Sequence, residues 1–261
     1  PTHNDLRMLW HSPIGAVAST FSPVEKPEFK FEPPKFSDSL SPLQKLDSVN
    51  SLDEEHYCKE YVVKRGIPKE HHRNLFYAEN FKSFVNELEI SDDAIYKHLY
   101  EEPRLVIPFF DKSRKMFAVQ GRALGQSDLR YITVRIDEQY PKIYGLDNIK
   151  TAETVYVTEG PFDSTFISNS IAMCGADGDV SKWGITNPVW IYDNEPRNRQ
   201  IVERLATTIN RGDRVVIFPK NILEKDINDM YLSGQNVQRV VESNIYQGLE
   251  AKLKLQDWKR V

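Results

Sequence analysis

A chain of 261 residues is long enough to bury a substantial core and to fold as one large domain or two modest ones. Its formal net charge of −4 gives no general attraction to nucleic acid, so any such contact requires a local basic patch. The only cysteines, Cys58 and Cys174, predict neither a zinc site nor a disulfide framework, which favours a reduced, cytoplasmic environment. No apolar run approaches the length of a membrane span.

Residues 1–52 are predicted to form an extended arm or linker. Six prolines lie between residues 12 and 51 among serine, lysine and glutamate, with little hydrophobic periodicity. Four phenylalanines are scattered through the same stretch, and packing against the chain's own surface is favoured over recognition of a partner.

Residues 53–150 are predicted to form a small, mixed α/β subdomain. A helix-like pattern over 53–65 is stopped by Gly66 and followed by Pro68. Three runs then alternate with turn sequences, at 105–107, 116–119 and 131–134. Short strands joined by turns are typical of a largely antiparallel block.

Residues 151–236 are predicted to form an α/β domain, because strand-like and helix-like segments alternate there. The strands, at 155–157, 189–192 and 215–218, are short and rich in β-branched residues, which is typical of buried parallel strands. Helices are predicted over 162–169, 197–210 and 226–232. Residues 237–261 are predicted to form a C-terminal helical segment, which is interpreted as a surface helix or tail.

Acidic residues follow or closely trail each of these three strands. Because parallel strands end at a common edge of the sheet, their carboxylates are expected to converge there and to require a magnesium or manganese ion. Taken singly, each cluster is better explained as a helix cap or a solvated turn. Their order and repetition favour the metal site. The residues are Glu159 and Asp163, Asp193 and Glu195, and Asp226, whereas Asp177 and Asp179 are interpreted as turn residues.

These motifs resemble the Toprim domain, which is shared by bacterial-type primases, type II and type IA topoisomerases and some nucleases. The resemblance rests on Glu-Gly-x-x-Asp at 159–163, the acidic pair at 193 and 195, and Lys-Asp at 225–226. Upstream segments resemble the core of bacterial primases, at 61–67, 104–108, 120–124, 130–133 and 142–146. Further details, at 102–108, 193–197 and 247–252, are most similar to the primases of T-even-type phages.

The resemblance implies a mixed α/β subdomain followed by a Toprim domain, a Rossmann-like parallel sheet, and a C-terminal helical tail. It implies a DNA-directed RNA polymerase that makes short RNA primers from ribonucleoside triphosphates on single-stranded DNA, with Mg²⁺ or Mn²⁺. The implied partner is a hexameric replicative helicase in the cytoplasm of an infected bacterium.

Two departures from the bacterial pattern are visible. Glu195 and Asn228 stand where bacterial primases have aspartate, and the phage relatives share this difference. Asp5 and Met8 occupy the positions where the last cysteine pair of the family's zinc module would fall, so no zinc is expected in this chain.

The resemblance also implies roles for individual residues. Asp193, Glu195 and Asp226 are expected to hold the metals, Glu159 to be a ligand or the general base, and Asp163 to support the cluster. Glu159 and Lys225 are the predicted catalytic residues, and Lys225 is expected to contact a triphosphate. The residues expected to bind nucleotide or template are Arg104, Arg122, Arg130, Tyr131, Lys142 and Arg197.

Two other functions stay open at this level. A Toprim nuclease or topoisomerase fragment would cleave the phosphodiester with the same metals, although the arginine-tyrosine block upstream argues against a nuclease. A non-catalytic binding subunit of a replisome is the other alternative, and the intact acidic set argues against it.

Overall fold

The computed structural model describes residues 41–88, 90, 99–175 and 179–261. The predicted arm lies outside the described residues except for 41–52, and Asp177 also lies outside them. In the described part of the chain, strands form two separate five-stranded sheets, one on each side of residue 150. The domain boundaries given above stay predictions.

The first sheet is antiparallel and has the strand order β1-β2-β3-β4-β5. The three strands predicted upstream are confirmed as β3, β4 and β5. Among the described residues, three α-helices accompany this sheet, and α1 ends just before Gly66 as the sequence predicts. The elements are β1 (Asp47–Ser48), α1 (Tyr57–Lys64), α2 (Lys69–His72), β2 (Phe76–Ala78), α3 (Phe81–Asn86), β3 (Arg104–Phe110), β4 (Met116–Ala123) and β5 (Tyr131–Arg135).

The second sheet has the order β10-β9-β8-β6-β7, in which β6, β7, β8 and β9 are parallel and β10 is antiparallel. The parallel arrangement predicted from the sequence is confirmed. The chain winds from β6 to β7 in one direction and to β8 and β9 in the other, so the switch point lies between β6 and β8. The strands are β6 (Val155–Thr158), β7 (Ser170–Ala172), β8 (Pro188–Trp190), β9 (Arg214–Val216) and β10 (Ile245–Tyr246).

The helices of this half differ from the predicted bounds in informative ways. The helix predicted over 162–169 is a single turn, because the chain must return to β7 at Ser170. The final helix, predicted as a surface helix or tail, buries Ala251, Leu255 and Trp258 and packs against α5. The helices are α4 (Pro161–Ser164), α5 (Arg199–Arg211), α6 (Ile227–Leu232), α7 (Val237–Glu242) and α8 (Gly248–Trp258).

One hydrophobic core joins the two sheets. It contains Ile107 and Phe109 from the first sheet together with Val157 and Phe162 from the second half. The rings of Tyr61 in α1 and Phe162 in α4 lie 6.3 Å apart within it. Because this core is shared, the two sheets are held together in one packed body.

The first sheet packs tightly against Phe81 at Gly121. A Cβ at this position would lie 2.6 Å from Cζ of Phe81, which is fully buried and cannot swing away. We expect Gly121→Ala to lower the free energy of unfolding by about 1–3 kcal/mol, as other overpacking substitutions do. Urea denaturation measures this loss. Gly125→Ala is the matched control, since nothing lies within 4 Å of its Cβ; equal stability of the two variants would contradict the packing described.

Candidate active site

A cleft of about 470 Å³ lies between the two sheets. The carboxylates that leave the parallel sheet line one side of it, because each follows a strand at the same sheet edge. Basic, aromatic and polar residues of β4, of β5 and of the loops on either side of β5 line the other side. The predicted site residues in this cleft are Glu159, Asp163, Asp193, Lys225 and Asp226 with Arg130, Tyr131 and Lys142.

Glu159 follows β6 directly and is held by two donors. Its Oε1 accepts a hydrogen bond from the backbone N–H of Asp193 at 3.2 Å, which fixes the ends of β6 and β8 relative to each other. Its Oε2 accepts from Nη1 of Arg204 in α5 at 2.9 Å. The Arg204 guanidinium in turn lies over the ring of Tyr192, 4.8 Å from its centroid. Both donors follow β8, so Glu159, which follows β6, is held across the switch point.

Asp163 and Asn228 connect the parallel sheet to α1. Asp163 Oδ1 accepts from the backbone N–H of Asn228 at 3.1 Å. The buried Asn228 amide binds Arg65 at both ends, since Nδ2 donates to the Arg65 carbonyl at 2.6 Å and Oδ1 accepts from Arg65 Nη1 at 2.9 Å. An aspartate would lack the Nδ2 donor and would add charge beside Asp163, so the neutral amide suits this position.

Crowding and burial change the acidity of two of these carboxyls. Desolvation, with repulsion from Asp226 and Asp193, raises the pKa of Asp163 to about 8. Desolvation, followed by repulsion from Glu159 and Asp226, raises the pKa of Asp193 to about 7. Lys225 opposes the second shift, with its Nζ 3.9 Å from Asp193 Oδ2. Without a bound cation, these two carboxyls are therefore driven toward the protonated form.

Comparison with known proteins identifies the family to which these residues belong. The chain is 32% identical, over 277 aligned residues, to the DNA primase of Enterobacteria phage T4, and the alignment covers 97% of this chain and 80% of that protein. The chain belongs to the DNA primase family. It is thus the catalytic core of an RNA-primer-synthesising nucleotidyltransferase, and the predicted similarity to phage primases is confirmed.

Solved primase structures share the fold. The RNA polymerase domain of the Mycobacterium tuberculosis primase DnaG is 15% identical, with a TM-score of 0.57 over 74% of this chain and 78% of that one. A DnaG primase catalytic domain bound to single-stranded DNA is 16% identical, with a TM-score of 0.53 over 78% of this chain and 79% of that one. No family model matches the sequence.

Membership of the primase family implies the use of a divalent metal. Among the described residues, no three acidic, histidine or cysteine side chains are grouped closely enough to form a complete site. The donor set nevertheless fits a hard cation, because burial and mutual repulsion raise the pKa values of Asp163 and Asp193, and a cation among the carboxylates would offset both effects.

Glu195 and Arg197, also predicted as site residues, face a neighbouring cavity in this primase rather than the cleft. Glu195 is linked to the cleft through Lys225, whose Nζ lies 3.5 Å from its Oε1. Glu195 Oε2 accepts from Asn198 Nδ2 at 3.2 Å.

Arg104 and Arg122 do not line the cleft. The Arg104 side chain is 2% exposed, and its guanidinium donates to the Glu102 carboxylate and to the backbone oxygens of Gly121 and Leu129. The Arg122 guanidinium lies beside Tyr131, its cross-strand partner, 4.6 Å from the centroid of the Tyr131 ring, and its Nε donates to the Tyr61 hydroxyl. Both arginines make their contacts within the protein.

Several residues that line the cleft or contact its carboxylates were missed by sequence reasoning. Arg204 lies nine positions beyond Glu195 on a helix, and no motif marks it. Arg65 belongs to a segment that resembles primases, but nothing in the sequence shows that it binds Asn228. Cys174, interpreted from the sequence as a core thiol, is partly exposed and lines the cleft. Gln120 and Thr133, cross-strand partners in β4 and β5, also line it.

No helix among the described residues is long and apolar enough to cross a membrane.

The raised pKa of Asp163 gives metal-free protein a defined pH dependence. Between its usual pKa and about 8, the folded state holds a proton that the unfolded state has lost, so stability falls as the pH rises through this range. The slope approaches about 1.4 kcal/mol per pH unit for one such group. We expect Asp163→Asn to flatten the slope, measured by urea denaturation in the presence of a chelator. Glu250→Gln, which changes an exposed carboxylate of α8, should leave the slope unchanged. Identical slopes for wild type and Asp163→Asn would refute the assignment.

Proposed function

We propose that the primase joins ribonucleotides by Mg²⁺-dependent nucleotidyl transfer in the cleft between the two sheets, and that residues 151–236 form a Toprim domain. The observation that carries this proposal is the convergence of four carboxylates, from β6, α4, β8 and the start of α6, opposite a wall that bears Arg130, Tyr131 and Lys142. In this reaction the 3′-hydroxyl of one nucleotide attacks the α-phosphate of another and pyrophosphate leaves.

The carboxylates would divide the work according to their contacts. Asp193 and Asp226 would hold the divalent ions in the cleft, which would neutralise the carboxylates and stabilise charge on the phosphate oxygens. Glu195, predicted as a further ligand, lines the neighbouring cavity and would act through its ion pair with Lys225. Glu159, with one oxygen held by Arg204, is oriented either to ligate an ion or to take the hydroxyl proton. Asp163, whose carboxyl binds the Asn228 N–H, would support the cluster from behind.

The opposite wall would bind the nucleotides and the template. Arg130 is exposed and suits phosphate through its planar fork, while the half-exposed Tyr131 offers a face for base stacking. Lys142 and Lys225 add positive charge to the cleft. The contacts of Arg104 and Arg122 favour structural roles, with the Arg122 guanidinium packed on the ring of Tyr131.

Single-stranded DNA is the proposed template. The DnaG catalytic domain that shares this fold was solved bound to single-stranded DNA, which supports the proposal. The hexameric helicase as a partner, and the cytoplasm of the infected cell as the location, stay predictions. The family assignment does not favour a nuclease, a topoisomerase or a non-catalytic subunit.

Substitution of the carboxylates tests the reaction. We expect Glu159→Gln and Asp193→Asn each to reduce primer synthesis by at least about 100-fold, because each removes charge that positions or activates the reacting groups. The assay measures labelled oligoribonucleotides formed on single-stranded DNA with Mg²⁺. Glu250→Gln, which changes an exposed carboxylate of α8, is the control. Wild-type rates in both cleft variants would overturn the proposal, and shortened template would instead indicate a nuclease.

Substitution of the two arginines near Tyr131 distinguishes phosphate binding by Arg130 from support of the Tyr131 ring by Arg122. We expect Arg130→Gln to flatten the salt dependence of single-strand binding by about 0.7 in a log–log plot, the value of one phosphate contact. Arg122→Gln should weaken binding without changing this slope, because its guanidinium stacks on Tyr131. Fluorescence anisotropy across a salt series measures both. A flattened slope for Arg122→Gln alone would reverse the two roles.

A further inference from the structure

A second cavity, of about 630 Å³, begins where the cleft ends. Asp193 lines the cleft, and the next two residues of the chain, Asn194 and Glu195, line the cavity. The ion pair of Lys225 with Glu195 lies between the two spaces. We call this second space the basic cavity, after its three cationic side chains, Arg197, Lys220 and Arg260.

The side chains that line the basic cavity carry a net positive charge. Its three cations outnumber its one carboxylate, Glu195, which already lies beside Lys225. Within the described residues, none of the three cations forms an ion pair with a carboxylate, and all three are exposed. The positive end of α5 adds to this charge, because its N-cap, Asn198, also lines the cavity. Such a surface attracts phosphate groups.

The floor of the cavity is held rigidly. The Trp258 indole N–H donates to Asn194 Oδ1 at 2.9 Å, and Asn194 Nδ2 donates to the carbonyl oxygens of Ile222 and Glu224 at 3.0 Å each. The backbone N–H of Arg260 donates to the Pro196 carbonyl at 2.8 Å. The C-terminal helix is thereby fastened to the loop that carries Asp193, so the cavity and the cleft keep a fixed relation.

Apolar surface accompanies the charge. Leu223 lines the basic cavity and is 85% exposed, and Ile222 lies beside it. A free phosphate would make no use of such a surface. A nucleic-acid strand would use both features, since its phosphates pair with cations while its bases and sugars cover apolar side chains.

We propose that the basic cavity binds the phosphodiester backbone of a single strand that extends from the catalytic cleft. The growing RNA strand and the DNA template supply the same chemistry, so the experiment compares them. This inference deepens the proposed function and rests on it for the position of the reacting end of the strand. Binding itself is measured without catalysis.

The test uses the double variant Lys220→Gln/Arg260→Gln. We expect its affinity for a labelled oligoribonucleotide, an oligodeoxyribonucleotide or both to fall about 10-fold at low salt. The slope of log affinity against log salt should flatten by about 1.4, the value of two phosphate contacts on a single strand. The matched control, Lys182→Gln/Lys252→Gln, removes the same charge from exposed positions outside the cavity and should change neither quantity.

The outcomes separate the possibilities. Weaker RNA binding alone assigns the cavity to the growing strand, weaker DNA binding alone assigns it to the template, and a loss of both supports the shared phosphate chemistry. Unchanged affinity and slope for both strands, in a variant with wild-type thermal unfolding, overturns the proposal and leaves the cavity for an acidic protein segment. If the Glu159 and Asp193 variants remained active while the slope flattened, only the proposed catalytic roles would fail.

Discussion

The repulsion between carboxylates at one sheet edge is the constraint on which the site depends. Glu159 and Asp193 flank the switch point of the parallel sheet, and burial together with repulsion from the neighbouring carboxylates raises the pKa of Asp163 and of Asp193. In water such groups would separate. Here the backbone holds them together, and the excess charge requires cations. Arg204 and Lys225 supply part of the positive charge that the carboxylates need, and a divalent ion would supply the rest.

Neutral amides fix the positions of these charges. Asn228 ties the start of α6 to Arg65 beyond α1, and Asn194 ties the loop after β8 to Trp258 of α8. An amide carries both a donor and acceptors, so it can bridge two segments without adding charge to an already crowded edge. The two asparagines thus join the carboxylates to α1 and to α8, and the shared hydrophobic core keeps the cleft walls in place.

Local patterns predicted much of the fold because they depend on neighbouring residues. Short β-branched runs gave the parallel strands, and turn residues separated the antiparallel ones. The predicted helix after Glu159 was too long, because the return of the chain to β7 limits it and that return is a tertiary requirement. Arg104 and Arg122 matched the family pattern, but sequence reasoning could not show that their guanidinium groups contact other residues of the protein.

The sequence by itself determined the membership of the family, the order of the acidic motifs and the alternation of strands and helices, because each depends on residues that are close together in the chain. Only the tertiary structure decided the strand order, and hence which carboxylates face one another across the switch point. It also decided that Arg204 holds Glu159, and that Glu195 and Arg197 open onto a separate basic cavity. These relations join residues far apart in the chain, and distance in space is set by packing rather than by spacing in the sequence.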